Sequence, residues 1–450
     1  MREQTDVFVI GTGPSGMAAA RTVKMKRPDV SVTAIRREPS YVPCALPYAL
    51  AGVIKVDSYV KDEARLMTDL GIRVLDGQVA RIVPDRKEVV LEDGTVYVYD
   101  KLIAAPGAEP FLPPVPGVEA ENVFSVRTPA DIHAILDYRR PEMRVAVVGA
   151  GYIGVEVACM MREAGHEVAV IELLDRVLPA SADAEFSAMA KRQLVLGGVQ
   201  VNLGVGLEKL LPGDNGPVRS VLLANGTTSP ADLVILCLGV RPRLSLFEEA
   251  GILAERDGVI VDSHMRTSAP DVFACGDCVH FHCLVDQHAL GGKLATNAIF
   301  QGKTAALNAI GVERVFEGSV NTCVTDVFGL GLGAAGIREE DAAKAGMKVV
   351  AGMAASWDAY PMFEKHHEGK VKLLFDRGNM IVIGGQIAGM QCVAERLDLL
   401  ALAIRQKIKA TDLAELNHCA HPLQSGVPAH NPFVIAAEDA IRNAAALAEP

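Results

Sequence analysis

The sequence predicts an α/β fold with two parallel-sheet units, each entered through a glycine turn, and a third unit of α+β character at the C-terminal end. Three observations carry that expectation. Val7-Phe8-Val9-Ile10 runs into GTGPSG (Gly11 to Gly16), a helical stretch and a second apolar run, Val30 to Ile35. Val145-Ala146-Val147-Val148 repeats the pattern through GAGYIG (Gly149 to Gly154), a helical stretch and Val168 to Ile171. Strand-like Lys370 to Phe375 and Met380 to Ile383 then precede a helical stretch around Cys392 to Ile408.

Each of the first two units reads as strand, tight turn, helix, parallel strand. Their first glycines are 149 − 11 = 138 residues apart, too far for a stacked repeat and suited to two separate units. In such a turn the first glycine (Gly11, Gly149) allows the bend and the second (Gly13, Gly151) lets backbone approach a pyrophosphate. The third (Gly16, Gly154) permits close packing of helix on strand. The intervening Pro14, Ser15, Tyr152 and Ile153 open the helices, whose free N–H groups and partial positive charge face the phosphates. Two dinucleotides are therefore expected.

A ribose-binding acid is expected about 20 residues further on. In the second unit Glu172 lies 172 − 154 = 18 residues after the last glycine. A carboxylate there accepts from a ribose 2′-OH and repels a 2′-phosphate, so NADH is favoured over NADPH, with Arg176 weakening the preference. In the first unit the matching position, 36 − 16 = 20 residues on, is Arg36, followed by Arg37 and Glu38. Either Glu38 takes the acid's role, or the arginines stack on adenine or reach a phosphate.

Composition bounds the rest. A chain of 450 residues suggests two to four domains at about 100–200 residues each. Lys+Arg of 44 against Asp+Glu of 55 gives a net charge of −11, which argues against nucleic acid. No apolar run reaches the ~18 residues of a membrane span, since the longest, Val145 to Met161, is broken by Glu156. The polar start, Met1 to Asp6, leads directly into a strand, so a cytoplasmic protein is expected. Nine cysteines, an odd number, suit a reducing compartment and a reactive thiol more than a disulfide framework.

A third glycine feature specifies the first ligand. The strand-like Asp271-Val272-Phe273-Ala274 ends in Gly276-Asp277, and Ala105-Pro106-Gly107 and Cys237-Leu238-Gly239-Val240-Arg241-Pro242 follow the two units. As an ordered set from Asp6 to about Phe433, these motifs resemble the flavin-dependent pyridine nucleotide-disulfide oxidoreductases. The resemblance implies FAD at the first turn, with Asp277 on its ribityl and phosphate region, and NADH at the second, with Tyr152 gating the nicotinamide pocket. It implies an FAD-binding domain of residues 1–120 and 246–320, an NAD(H)-binding domain of 121–245 inserted between them, and a dimerisation domain of 321–450. A homodimer is expected on the same ground.

Pro39 to Gly52, PSYVPCALPYALAG, resembles the single-cysteine branch of that family: coenzyme A disulfide reductase, NADH oxidase, NADH peroxidase and persulfide reductases. Cys44 is the matching cysteine, and Pro39 stands where a second would be needed for an internal dithiol. Pro43 and Pro47 suit a helix start, a location that biases a thiol toward thiolate. The histidine usual in the peroxidase and oxidase turn is replaced by Pro14-Ser15, which favours a sulfur acceptor. In NHCAHPLQS, Cys419 replaces the tyrosine of coenzyme A disulfide reductases, while His421-Pro422 resembles the two-cysteine branch, whose histidine acts across the dimer. Tyr360 in SWDAYPMF is a further candidate at that site.

Cys275 and Cys278, with His280, His282 and Cys283 behind them, have metal-like spacing. Because the flavin motif claims Asp277 between them, no metal is expected. The reading is thus reduction of a low-molecular-weight disulfide, persulfide or polysulfide through Cys44 at the expense of NADH. The alternatives are an NADH oxidase or peroxidase cycling Cys44 through sulfenic acid, and a flavin-based redox sensor or interaction protein.

Overall fold

The computed structural model describes residues 2–39, 41–59, 63–213, 216–290, 293–389 and 391–447. Among them the first unit is a sheet ordered Ile72–Asp76, Val32–Arg36, Arg2–Ile10, Val96–Ala104, Glu88–Leu91, Val79–Val83. Its central strands are parallel: Val7 lies opposite Val32 on one side and Lys101 on the other. Val272–Ala274, distant in sequence, pairs in parallel with Val96–Ala104. The strand that leads to Gly276 and Asp277 is thereby delivered beside the first glycine turn.

The second unit is an all-parallel sheet, Gln200–Asn202, Glu167–Ile171, Arg144–Val148, Leu233–Leu236, Val123–Ser125. Its three central strands carry continuous apolar runs rather than alternation, Val145–Val148, Val168–Ile171 and Leu233–Leu236, the last buried at every position. The third unit is an antiparallel sheet, Cys323–Val327, Leu330–Gly336, Val382–Ala388, Glu368–Asp376, Val349–Trp357. The helices Val393–Arg405 and Pro432–Ala446 bury Leu397, Leu400, Phe433 and Ala436 with the sheet's Val371, Leu373 and Ile387.

Two C-terminal elements start later than their apolar runs predict. The last strand begins at Val382, because the Asp376 carboxylate caps the backbone N–H groups of Gly378 and Asn379 and Met380 takes φ +57° in that turn. The helix begins at Val393, because Cys392 has φ +57° and ends the preceding chain reversal.

The three units share packing at one place. Leu46, Ala49 and Leu50, directly after Cys44, are buried with Val155, Ala158 and Cys159 of the second unit and Val327 and Leu332 of the third. Leu46 and Leu50, 2% and 0% exposed, each contribute on the order of 2 kcal/mol by leaving water. An ionic pin adds to this. Lys372, 3% exposed, donates to Asp183 at 2.9 Å, Glu185 at 2.7 Å and Glu339 at 2.8 Å.

Candidate functional site

The first turn follows from its glycines. Gly11 has φ +89°, and a Cβ there would lie 2.2 Å from the Ala105 carbonyl oxygen. A Cβ on Gly16 would lie 1.9 Å from the Gly11 carbonyl oxygen, so this glycine sits behind the turn and seats the helix. Gly13 is the N-cap and Pro14 the first residue of the helix Pro14–Lys26, whose first turn carries no acid. Its orphan N–H groups and positive dipole end are left for an anion.

Gly11, Gly13, Pro14 and Ser15 line a cavity of about 1930 Å³, together with Ala105, Pro106 and Gly107. Arg36 lines it too, but its guanidinium is anchored to Asp76 at 2.7 Å, so Arg37 and Glu38 are the more available groups there. Gly276, with φ +84°, backs onto Ser15, whose Oγ would stand 2.3 Å from an added Cβ. Asp277 reaches the cavity and accepts from Arg127 at 3.0 Å. Arg243, also on this wall, has a buried Nε that makes no hydrogen bond among the described residues and lies 3.8 Å from Glu109. Backbone donors at a helix start, a buried guanidinium N–H and an acceptor carboxylate in one cavity fit the pyrophosphate and polyol of FAD.

The second turn repeats the construction. Gly149, at φ +105°, approaches Cys237 so closely that a Cβ would lie 2.4 Å from its carbonyl oxygen, and Gly154 packs likewise on Gly149. Gly151, Tyr152, Ile153 and Gly239 line the same cavity, which suits the nicotinamide end of a dinucleotide. Glu172 departs from expectation. Its carboxylate accepts from the backbone N–H of Ala150 at 2.7 Å and of Leu174 at 2.9 Å, and the residue is 9% exposed and off the cavity wall. Its visible work is to hold the glycine turn to the strand end.

Cys44 lies in a 3-10 turn, Pro43–Ala45, continued by the short helix Leu46–Ala49, and both Pro43 and Cys44 line the cavity between the two turns. The expected thiolate bias is corrected here. The side chain is accessible from the cavity, yet the surrounding walls raise the thiol's pKa, and the acids Glu156 and Asp277 raise it further against a backbone hydrogen bond and Arg127. A helical segment of only two short turns gives a weak dipole to set against these effects.

Glu156 was not singled out as a site residue. It lines the cavity from the helix Tyr152–Glu163 and accepts from the Thr325 hydroxyl at 2.9 Å. Burial pushes its carboxyl up to about 7. The signal was present in the sequence, since Glu156 is the one charge that interrupts the apolar run from Val145 to Met161. Cys323 was also missed: its Sγ lies 2.6 Å from the Tyr152 hydroxyl on the cavity wall, and nothing local to the strand Cys323–Val327 foretold the pair.

His421 and Tyr360 are not brought to Cys44 within one chain. They adjoin each other, the Tyr360 N–H donating to the Pro422 carbonyl at 2.9 Å, on a surface of the third unit apart from the cavity. His421 and Cys419 are exposed. Cys275 and Cys278 are fully buried, the Cys278 thiol donates to the Cys275 carbonyl, and the His280 ring pairs with Asp257 at 2.6 Å.

Comparison with known proteins agrees with this geometry. The pyridine nucleotide-disulphide oxidoreductase family matches residues 5–302, and the dimerisation domain of that family matches residues 323–431. An NADH oxidase of Methanocaldococcus jannaschii is 32% identical over 451 residues, covering 97% of this chain and 98% of its own. A CoA-dependent NAD(P)H sulfur oxidoreductase of Pyrococcus abyssi is 27% identical, covering 90% of this chain and 92% of its own. The NAD-dependent persulfide reductase from A. fulgidus superposes with a TM-score of 0.93 at 32% identity, over 99% of this chain and 84% of that one. The chain belongs to the pyridine nucleotide-disulphide oxidoreductases and is an FAD-dependent enzyme that uses a pyridine nucleotide.

Proposed function

We propose that this enzyme uses NADH to reduce a low-molecular-weight disulfide, persulfide or polysulfide through Cys44. The observation that carries the reading is an accessible thiol in the same cavity as both glycine turns, with Pro39 at the position of a second redox cysteine. FAD, when bound, accepts hydride from NADH and returns two electrons to sulfur. Gly11, Gly13, Pro14 and Ser15 would hold its pyrophosphate, and Ala105, Pro106, Gly107, Gly276 and Asp277 would serve its polyol. Gly149, Gly151, Tyr152, Ile153, Gly154 and Gly239 seat NADH. Glu172 favours it over NADPH by fixing the turn and keeping a negative charge at the ribose end.

Cys44 thiolate attacks one sulfur of RSSR, forming a Cys44–S–SR bond and expelling RS⁻, which takes a proton. Two electrons from NADH then cleave the mixed disulfide, so that NADH + H⁺ + RSSR gives NAD⁺ + 2 RSH. The Cys44 thiol reacts through the fraction that has lost its proton, and the charge that Glu156 gains near neutrality in the same cavity lowers that fraction. The domain plan follows: residues 1–120 and 246–320 for FAD, 121–245 for NADH, and 321–450 to pair two chains. In the homodimer His421 and Tyr360 of one chain serve Cys44 of the other.

The names of relatives support a second reading, NADH oxidation by oxygen. Steady-state NADH consumption under strict anaerobiosis, with coenzyme A disulfide, a glutathione persulfide and polysulfide offered in turn, separates the two. Turnover with at least one sulfur compound well above the aerobic rate without it supports sulfur reduction. Turnover with oxygen alone overturns it.

A further inference from the structure

On the cavity wall, residues 283–288 form a closed loop that carries three unlike donors. The Cys283 N–H donates to the His288 carbonyl at 2.8 Å, the Gln287 N–H donates to the Cys283 carbonyl at 3.1 Å, and Gln287 takes φ +61°. That left-handed residue reverses the chain between Asp286 and His288. A further bond, from the Leu284 N–H to the Ser319 carbonyl at 2.9 Å, ties the loop to the body of the protein.

The Cys283 sulfur, an Asp286 carboxylate oxygen and a His288 ring nitrogen lie within 4.8 Å of one another. Cys283 is 1% exposed, and the Asp286 side chain is 5% exposed. Among the described residues no lysine or arginine pairs with Asp286. Its ionic partner is the His288 ring, 2.5 Å away at Nδ1. Against the burial that raises its pKa, this carboxylate is held below the usual carboxylate range by the imidazole, the thiol and the His288 backbone N–H, which all converge on it.

We infer that Cys283, Asp286 and His288 bind a zinc-type divalent ion that clips this loop shut beside the cofactor cavity. One sulfur, one nitrogen and one oxygen suit a borderline-soft ion and not calcium or magnesium, which take oxygen ligands. Binding replaces the Cys283 S–H bond with a metal–sulfur bond, releases that proton to solvent and frees the His288 nitrogen to coordinate. The His288 side chain is 41% exposed, which gives an ion and its remaining water ligand access from solvent. His288, Leu284 and Leu290 all line the cavity, so the ion stiffens one of its walls without touching Cys44. The site is distinct from the Cys275 and Cys278 spacing visible in the sequence, because those two side chains are sealed in the core.

The test uses FAD-loaded enzyme purified without a metal-affinity step, treated with chelator and desalted. Zn²⁺ is titrated in competition with a chromophoric chelator, and Co²⁺ is titrated for d–d bands at longer wavelength than the flavin. The expected result is one ion per chain, with tetrahedral Co²⁺ bands. His288→Ala, which alters an exposed side chain, and Cys283→Ser should each weaken binding by at least about tenfold. Serine at the exposed thiols Cys44, Cys392 and Cys419 should leave it unchanged. FAD content and circular dichroism show that each variant is folded, and His288→Ala carries the test if Cys283→Ser is not. The assignment is overturned by absence of saturable binding, by unchanged affinity in His288→Ala, or by loss of binding on replacing the exposed thiols.

Discussion

Replacing Glu156 with glutamine tests how this cavity controls its thiol. In the folded enzyme the Glu156 carboxyl is pushed up to about 7 by burial, and its charge raises the Cys44 thiol second only to desolvation. A like charge disfavours the thiolate, so removing it should raise the thiolate fraction of the accessible Cys44 at fixed pH. The sign depends on pH. Below about 7 Glu156 carries a proton and no charge, so the wild type and Glu156→Gln should react alike. Above that value only the wild type gains a negative charge beside the thiol. The variant should then alkylate faster. The assay is the pH dependence of iodoacetamide modification at Cys44, resolved by peptide mass spectrometry in the FAD-loaded protein. An unchanged profile, a slower variant at pH 8, or an equal acceleration at pH 5 and pH 8 would refute the electrostatic coupling.

Three further outcomes follow from the same geometry. Glu156→Gln should stabilise the fold above pH 7 by about 1–3 kcal/mol and leave it unchanged at pH 4, because a raised carboxyl pKa costs stability progressively between its ordinary 4.5 and about 7. Chemical denaturation at the two pH values measures this. Lys372→Met leaves Asp183, Glu185 and Glu339 facing one another without their cation, and should lower stability by about 3–5 kcal/mol, read as an earlier unfolding midpoint. Gly276→Ala places a Cβ 2.3 Å from Ser15 Oγ at φ +84°, so it should cost about 1–3 kcal/mol and reduce the flavin-to-protein absorbance ratio.

Much of this architecture was legible in the sequence, because the contacts responsible are local. Gly11, Gly149 and Gly276 each need a backbone conformation that other residues rarely adopt, and their flanking strands and helices show the matching apolar periods. Cys44 was legible through the resemblance of the surrounding PSYVPCALPYALAG segment to the single-cysteine branch. The state of its thiol was not, because Glu156 and Asp277 reach it from 112 (156 − 44) and 233 (277 − 44) residues further along the chain. Arg127, Arg243 and Cys323 were missed for the same reason: each meets the cavity through tertiary packing and has no sequence spacing to announce it. Glu172 shows the converse. Its position at the strand end was read correctly, while its hydrogen bonds to Ala150 and Leu174 depend on how the turn folds back.

The central claim is that Cys44 is the group through which electrons from NADH reach sulfur. Anaerobic titration of the FAD-loaded enzyme with NADH, followed by the best sulfur acceptor, tests it directly in the wild type and in Cys44→Ser. The wild type should develop a long-wavelength thiolate-to-flavin band on reduction and turn over the acceptor. Cys44→Ser should take up NADH electrons, lack the band and lose at least about a hundredfold in acceptor turnover, the scale expected when a nucleophile is removed. A serine variant that keeps both the band and the turnover would contradict the claim.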